Sequence, residues 1–246
     1  MARSQKTLNH KAQRPERSIH NFATARRLSE VYDSLLACYG SQHWWPAEEP
    51  FEVIVGAILT QAAAWINVER AIANLKRAGI LNPAGLQEVS AADLARLIYP
   101  CGYYNSKAVK LKAFAEHLGE RYAGSLEQLF SMEVNSLRRE LLSIHGIGEE
   151  TADSIILYAA RKPTFVIDAY ARRIMRRLGM GPHENSYAAF QAYFMDNLPL
   201  SELLFNEYHA LLVRHSKSAC RRRPFCTRCC LLQQCPFGRE SVSELG

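Results

Sequence analysis

The 246-residue chain lacks the long apolar run that a membrane-spanning helix needs. Its longest apolar stretch, from Phe51 to Trp65, is interrupted by Glu52 and Gln61. A spanning helix takes roughly 20 consecutive apolar residues, so this stretch predicts a buried helix instead. The sequence also shows no basic segment followed by an apolar segment and a cleavage site. We therefore expect a cytoplasmic protein with no membrane partner.

The sequence also has little that would form a β-sheet. Convincing alternation of apolar and polar residues is absent, and so are repeats of fixed period. Glycine and proline fall between segments of helical periodicity, which predicts an all-α fold. Helices are expected over residues 28–39, 51–64, 68–78, 91–98, 107–118, 126–131, 134–143, 150–160, 169–178, 187–197 and 202–216.

Acidic residues are scarce in two segments of a chain whose formal net charge is +6. Residues 1–27 hold seven arginines and lysines against Glu16 alone, so this arm carries as much charge as the whole net excess. Such an arm can hold a polyanion, or it can be a solvated, disordered tail with no partner. A second basic run, residues 214–228, has no acidic residue. Because like charges repel, we expect an anionic group, such as a metal cluster with its thiolates or a phosphate backbone, to compensate this charge.

Cysteine is concentrated near the C-terminus. Four of the seven cysteines form the candidate ligand set, Cys220, Cys226, Cys229 and Cys235. One tight Cys-x-x-Cys pair flanked by two single cysteines favours a [4Fe–4S] cluster. Zinc also accepts four thiolates, and disulfides are the third reading.

The remaining cysteines are assigned no ligand role. Cys230 lies beside Cys229, and the spacing from Cys226 selects Cys229 as the third ligand. Cys38 and Cys101 lie in apolar-rich segments and are expected to be small buried side chains.

A short hairpin joins two predicted helices at Gly146, Ile147 and Gly148. Glycines at alternate positions allow a tight turn and a close approach to another chain. The second helix is expected to begin at Glu149 or Glu150, with its free N–H groups placed to bind phosphate. A plain interhelical turn is the simpler interpretation.

These segments together resemble the helix-hairpin-helix DNA glycosylases of the endonuclease III superfamily. The similarity covers roughly residues 28–237 and rests on the hairpin, Val-Ile-Asp at 166–168, Leu-Thr-Gln at 59–61, Gly-Tyr-Tyr-Asn-Ser-Lys-Ala at 102–108, and the cysteine loop. It implies two α-helical lobes with DNA in the cleft between them. We expect a six-helix barrel lobe over residues 42–162, and a second lobe from residues 28–41 and 163–246 that carries the cluster.

The resemblance implies a role for several single residues. Asp168 would stabilise the positive charge that builds on the deoxyribose as the N-glycosidic bond breaks. The alternative is that Asp168 serves only as a helix N-cap. Gln61 would fill the gap left in the duplex by the extruded base, or it is a buried amide. The amides of the hairpin, Gly146 to Gly148, would bind the DNA backbone.

Three tryptophans indicate one branch of this family. Trp44 and Trp45 precede the buried helix and Trp65 follows it, which resembles the 3-methyladenine DNA glycosylases of endonuclease III type. An indole face stacks on bases and attracts the positive charge of an alkylated purine. The alternative is that all three tryptophans belong to the core or to the interface between lobes.

Two departures from the family pattern bear on activity and on the metal loop. Members that cut the DNA strand carry a lysine where this chain has Glu150, and glutamate cannot form a Schiff base. The first cysteine gap is five residues, where the family usually has six. We expect a monomeric, monofunctional glycosylase that acts on damaged bases in double-stranded DNA in the cytoplasm, associated with the nucleoid in a prokaryote. A mismatch or oxidised-base glycosylase and a non-catalytic iron–sulfur DNA-binding protein remain alternatives.

Overall fold

The computed structural model describes residues 16–244, in which thirteen α-helices are present and no β-strand. The all-α prediction is therefore confirmed. The basic arm predicted over residues 1–27 lies mostly outside the described residues. The helices are α1 Glu16–Tyr39, α2 Pro50–Leu59, α3 Trp65–Arg77, α4 Pro83–Glu88, α5 Ala91–Leu97, α6 Tyr104–Tyr122, α7 Leu126–Phe130, α8 Val134–Leu142, α9 Glu149–Ser154, α10 Ala169–Arg177, α11 Tyr187–Met195, α12 Glu202–Ser218 and α13 Pro236–Ser243.

Helix α2 forms the centre of the molecule. All its residues after Pro50 are buried, and it packs against α3, α6 and the π-helical turn Ile155–Ala159 that continues α9. A helix that is apolar all round belongs in a core, which is why this segment is buried. It thereby fixes the loops at its two ends, where the tryptophans lie.

The prediction of a single helix over residues 51–64 is wrong for its last turn, because α2 ends at Leu59. The hydroxyl of Thr60 donates to the carbonyl of Gly56 at 2.6 Å, and Ala62 adopts a left-handed φ of 51°. That conformation ends an α-helix, and α3 begins afresh at Trp65. Gln61 consequently lies in a turn, free of helical geometry.

Two short helices were missed, and both begin with proline at their first turn. The side chain of Asn82 caps α4, and the Cys235 sulfur accepts from the Gly238 N–H at the start of α13. Proline suits the first turn of a helix because its missing N–H would have no partner there.

The first helix of the described residues packs among the last ones. Helix α1 packs on α12, α12 also packs on α10, and α13 packs on α10. Helices α4 and α5 instead pack on α6. The division into two lobes at residues 41 and 163 stays a prediction. No helix among residues 16–244 combines the length and apolar character needed to cross a bilayer.

Candidate active site and metal loop

Asp168 lies at the N-terminus of α10, directly after the buried residues Phe165, Val166 and Ile167. One carboxylate oxygen, Oδ1, accepts a hydrogen bond from the Ala171 N–H at 2.7 Å. The side chain is 11% exposed. Asp168 is therefore the N-cap of α10, and the cap holds its carboxylate in a defined position.

Two residues that the sequence analysis missed lie behind this carboxylate. The Nε2 atom of His209, on α12, is 3.7 Å from Asp168 Oδ2. The Nδ1 atom of His209 is 2.5 Å from the hydroxyl of Tyr158. Both side chains are buried. A histidine and a tyrosine in apolar helical segments are ordinary core residues in a sequence, and only the fold brings them to Asp168.

The three tryptophans form one cluster. Their ring centroids are separated by 5.2 Å for Trp44 and Trp45, 5.0 Å for Trp44 and Trp65, and 5.2 Å for Trp45 and Trp65. All three side chains are half-buried. Trp45 lies against the α2 backbone at Gly56, where a Cβ would come within 2.9 Å of the indole.

This tryptophan cluster is continuous with the residues behind Asp168. The rings of Trp45 and Tyr158 are 5.3 Å apart between centroids, and Tyr158 contacts His209. The indole N–H of Trp65 donates to the exposed Glu69 at 2.7 Å. An aromatic surface and a fixed carboxylate are thus joined through Tyr158 and His209.

Glu150 is the second residue of α9, and its side chain is exposed. Partial desolvation by the surrounding protein raises its pKa, and the negative charge of the nearby Asp168 raises it further. The positive charge of Arg172 opposes this shift. Two carboxyl groups, one at the start of α9 and one at the start of α10, therefore lie close enough to interact.

Gln61 bonds to the hairpin that the sequence analysis singled out. Its Nε2 donates to the Gly146 carbonyl at 3.1 Å and to Thr151 Oγ1 at 3.0 Å. Its Oε1 accepts from Lys110 Nζ at 2.5 Å. The N–H groups and the oxygen of the Gln61 amide therefore all have hydrogen-bond partners. To enter the DNA duplex, the side chain would have to give up these hydrogen bonds.

The three hairpin residues differ in their surroundings. Gly146 has a φ of 83°, and the Lys110 side chain occupies the place of a Cβ, so both conformation and space require glycine there. The side chain of Ile147 is buried and its N–H donates to the Ile144 carbonyl. Gly148 is exposed with open space around it, which leaves its backbone accessible to a ligand.

A buried ion pair joins the two helices of the hairpin. Asp153, on α9, is fully buried and accepts from Arg138 Nε at 2.9 Å and Nη2 at 3.1 Å. Thr164 and Gln191 also donate to Asp153, at 3.2 and 2.9 Å. The exposed Glu149 accepts a further, longer bond from Arg138. This network fixes α8 relative to α9 and therefore fixes the glycine turn.

The four candidate ligands line one partly enclosed cavity between α10, α12 and α13. They are Cys220, Cys226, Cys229 and Cys235. The Arg177 guanidinium lies 3.2 Å from Cys220 Sγ, and the Gly238 N–H lies 3.3 Å from Cys235 Sγ. Within residues 16–244, no group of three or more His, Cys, Asp or Glu side chains converges closely enough to hold a single metal ion.

Cys230 does not line this cavity. It lies beside Cys38 and Tyr39 of α1, and burial raises the pKa of its thiol to about 12. His215 does line the cavity, 3.7 Å from Cys229 Sγ, and its Nδ1 is 2.9 Å from the Tyr39 hydroxyl. Cys101 is buried as expected, whereas Cys38 is exposed, because it lies on the outer side of α1 near its end.

Comparisons with known proteins agree with this geometry. Residues 55–200 match the model of the HhH-GPD superfamily of base excision DNA repair proteins. The chain is 44% identical over 208 residues to MJ1434 of Methanocaldococcus jannaschii, provisionally named a DNA repair glycosylase, covering 84% of this chain and 94% of that protein.

Two solved structures have the same fold. The structure of a non-covalent endonuclease III–DNA complex superposes with a TM-score of 0.77 at 20% identity, covering 89% of this chain and 98% of that one. The H. pylori 3-methyladenine DNA glycosylase MagIII, bound to 1,N6-ethenoadenine, superposes with a TM-score of 0.67 at 27% identity, covering 80% and 97%. The resemblance inferred from the hairpin, Asp168 and the cysteine loop is thereby confirmed at the level of the family. The chain belongs to the HhH-GPD superfamily of base excision DNA repair proteins and is an endonuclease III-like member of it.

Proposed function

We propose that this member is a monofunctional DNA glycosylase that excises alkylated purines, of the 3-methyladenine type, from double-stranded DNA. One observation carries the proposal: a carboxylate fixed at the start of α10 is connected through Tyr158 and His209 to a cluster of three tryptophans. A base extruded from the duplex would stack on the tryptophan cluster, which places its sugar toward Asp168.

The chemistry of the substrate matches these groups. A purine alkylated at N3 or N7 carries positive charge, and an electron-rich indole face attracts such a cation. The alkylated base is already a good leaving group, so the protein need only stabilise the sugar cation and orient water. Asp168 supplies that negative charge. The MagIII structure, which holds an alkylated-type purine, has the same fold and lends support to this choice of substrate.

We propose that the lyase reaction is absent because the hairpin carries no lysine where strand-cutting members have one. Glu150 occupies that position in α9, and a carboxyl group cannot attack the sugar as an amine does. Lys107 is 2% exposed, and its Nζ donates to the carbonyls of Leu59 and Cys101 at 2.9 and 2.8 Å. Lys110 is engaged by Gln61.

The cysteine loop is proposed to hold a [4Fe–4S] cluster. The four thiols that line one cavity would supply the four cysteine ligands that such a cluster takes. N–H groups from Arg177 and Gly238 already point at two of the sulfurs, as is usual around metal-bound thiolates. The cluster would give the loop its shape, which presents the exposed Arg221, Arg222, Arg223 and Arg228 to phosphate.

The DNA contacts follow from the same geometry. We propose that the backbone at Gly146 and Gly148 binds phosphate beside the lesion, with the buried Ile147 anchoring the turn. Gln61 would exchange its bonds to the hairpin for the gap in the duplex. The protein would act as a monomer, in two lobes, on DNA in the cytoplasm or nucleoid.

Release of free bases tests the proposal. Duplex DNA treated with a methylating agent is incubated with the protein, and the released bases are separated by chromatography. We expect 3-methyladenine or another alkylated purine, with none released by an Asp168→Asn control. Release of oxidised pyrimidines alone would assign the protein to the endonuclease III type, and release of no base would leave a DNA-binding role.

Borohydride trapping tests the monofunctional assignment. The reagent reduces an imine between enzyme and sugar to a stable crosslink. We expect no protein–DNA adduct on fully excised substrate, and an intact abasic site. An adduct in good yield would refute the assignment, and its loss in Lys110→Gln would identify the amine that reached the sugar.

A further inference from the structure

The two oxygens of Asp168 have different environments. Oδ1 is fixed by the Ala171 N–H, whereas Oδ2 accepts no hydrogen bond within residues 16–244 and faces His209 Nε2 at 3.7 Å. A carboxylate held by one oxygen alone can still rotate about its side-chain bond. A second donor would remove that freedom, and His209 is placed to be that donor.

His209 has an unused ring nitrogen. The side chain is 9% exposed, and its Nε2 atom is buried with no hydrogen-bond partner among the described residues. Buried polar atoms without a partner are rare because each one costs free energy. The carboxylate of Asp168 faces this nitrogen, with Oδ2 at 3.7 Å.

Tyr158 determines which nitrogen of His209 carries the proton. Its hydroxyl is buried, and its one hydrogen-bond partner among the described residues is His209 Nδ1. Burial raises the pKa of Tyr158 well above its ordinary value, so the hydroxyl keeps its proton. Donation to Nδ1 satisfies this buried donor, which has no other acceptor among the described residues. A neutral imidazole that accepts at Nδ1 carries its own hydrogen on Nε2.

We propose that His209 is a positioning residue, held by Tyr158 as the neutral Nε2–H tautomer, which closes from 3.7 Å to hydrogen-bond distance when DNA is bound, donates to Asp168 Oδ2 and fixes the carboxylate for excision. The inference rests on the proposed role of Asp168 in the glycosylase reaction. Nothing in the sequence pattern assigned a role to His209 or Tyr158, which are 51 residues apart.

The neutral state of the imidazole matters for the reaction. A protonated His209 beside Asp168 would cancel the negative charge that stabilises the sugar cation. Because Nδ1 accepts from Tyr158 in this arrangement, a second proton on Nδ1 would require the hydroxyl to turn and accept instead. His209 therefore orients Asp168 without neutralising it.

The tautomer is measured directly by NMR on the holoprotein with 15N-labelled histidine at pH 7. The His209 signals are assigned by their loss in His209→Gln. We expect a protonated Nε2 and an unprotonated Nδ1 for His209. The Nδ1–H tautomer or a doubly protonated ring would overturn the proposal. This result does not depend on which base the enzyme releases, so it tests the tautomer independently of the proposed substrate.

Kinetics of two matched variants test the positioning role. The amide nitrogen of glutamine reaches roughly the place of Nε2, whereas that of asparagine reaches only the place of Nδ1. In single-turnover excision of methylated DNA we expect His209→Gln to stay within about threefold of the wild-type rate, and His209→Asn to be about ten- to a hundredfold slower, the usual loss when an outer partner of a reactive group is removed.

The measurements are made with DNA affinity and melting temperature recorded for each variant. Equal rates for the two variants, or a rate loss that merely follows a loss of melting temperature, would overturn the positioning role. Failure of the wild-type protein to release any alkylated purine would refute the proposed function, and the NMR result would still decide the tautomer.

Discussion

The ion pair inside the hairpin provides a stability prediction whose size can be estimated from the structure. Asp153 is fully buried, and the Arg138 side chain that donates to it is 24% exposed. Replacing Asp153 with alanine leaves the Thr164 hydroxyl without its acceptor, and leaves Arg138 with the longer bond to the exposed Glu149. Removing one partner of a buried ion pair costs about 3–5 kcal/mol, because an uncompensated charge stays behind.

Glu149 offers a matched control on the same arginine. It lies 3.3 Å from Arg138 but is 47% exposed. Exposed ion pairs contribute about 0–1 kcal/mol. The Glu149→Ala variant removes a carboxylate from the same guanidinium and should therefore change stability little.

The assay is thermal unfolding of anaerobically purified protein at one fixed scan rate. For a chain of this size a loss of 1 kcal/mol lowers the melting temperature by about 2–4 °C. We expect Asp153→Ala to melt roughly 6–20 °C below the wild type, and Glu149→Ala to melt within about 4 °C of it. Equal shifts for the two variants, or a loss of under about 1 kcal/mol for Asp153→Ala, would refute the reasoning.

Two further predictions concern Glu150 and the cysteine loop. Because the pKa of Glu150 is raised above 4.5 in the folded protein, its ionisation destabilises the fold as pH rises. Glu150→Gln should therefore melt at a higher temperature than the wild type at pH 7, and this difference should shrink as pH falls and be gone below about pH 4. A difference that is constant with pH would contradict this cause. Cys229→Ser should lose iron together with the broad absorbance at roughly 400 nm that is typical of a [4Fe–4S] protein. Cys230→Ser should keep both. One zinc and no iron in the wild type would rule the cluster out.

Local patterns in the sequence were sufficient for much of the fold. Helical periodicity predicted the all-α class, and the alternate glycines predicted the hairpin, where the left-handed φ of Gly146 bears out the need for glycine. The cap at Asp168 was also foreseeable, because Asp before a helical segment is a local signal. Such features depend on residues close in the sequence.

Features that depend on distant contacts were not predicted. The pairing of Tyr158 with His209 and the burial of Lys107 follow from helix packing, which leaves no periodic trace in the chain. A lysine in an apolar helix face is expected to reach solvent, yet Lys107 ends on two buried carbonyls. The break after α2 was missed because Thr60 and Ala62 are compatible with helix until the fold places them in a turn.

In the proposed reaction, Asp168 contributes the charge of its carboxylate to excision, beyond its role as the cap of α10. Asn caps a helix about as well as Asp, so Asp168→Asn keeps the fold of α10 and removes only the charge. In single-turnover release of alkylated purines from methylated duplex DNA, we predict that this variant has no detectable activity while its affinity for the DNA is unchanged or higher. Activity within about tenfold of the wild type, a barrier change of only about 1.4 kcal/mol, would contradict the account.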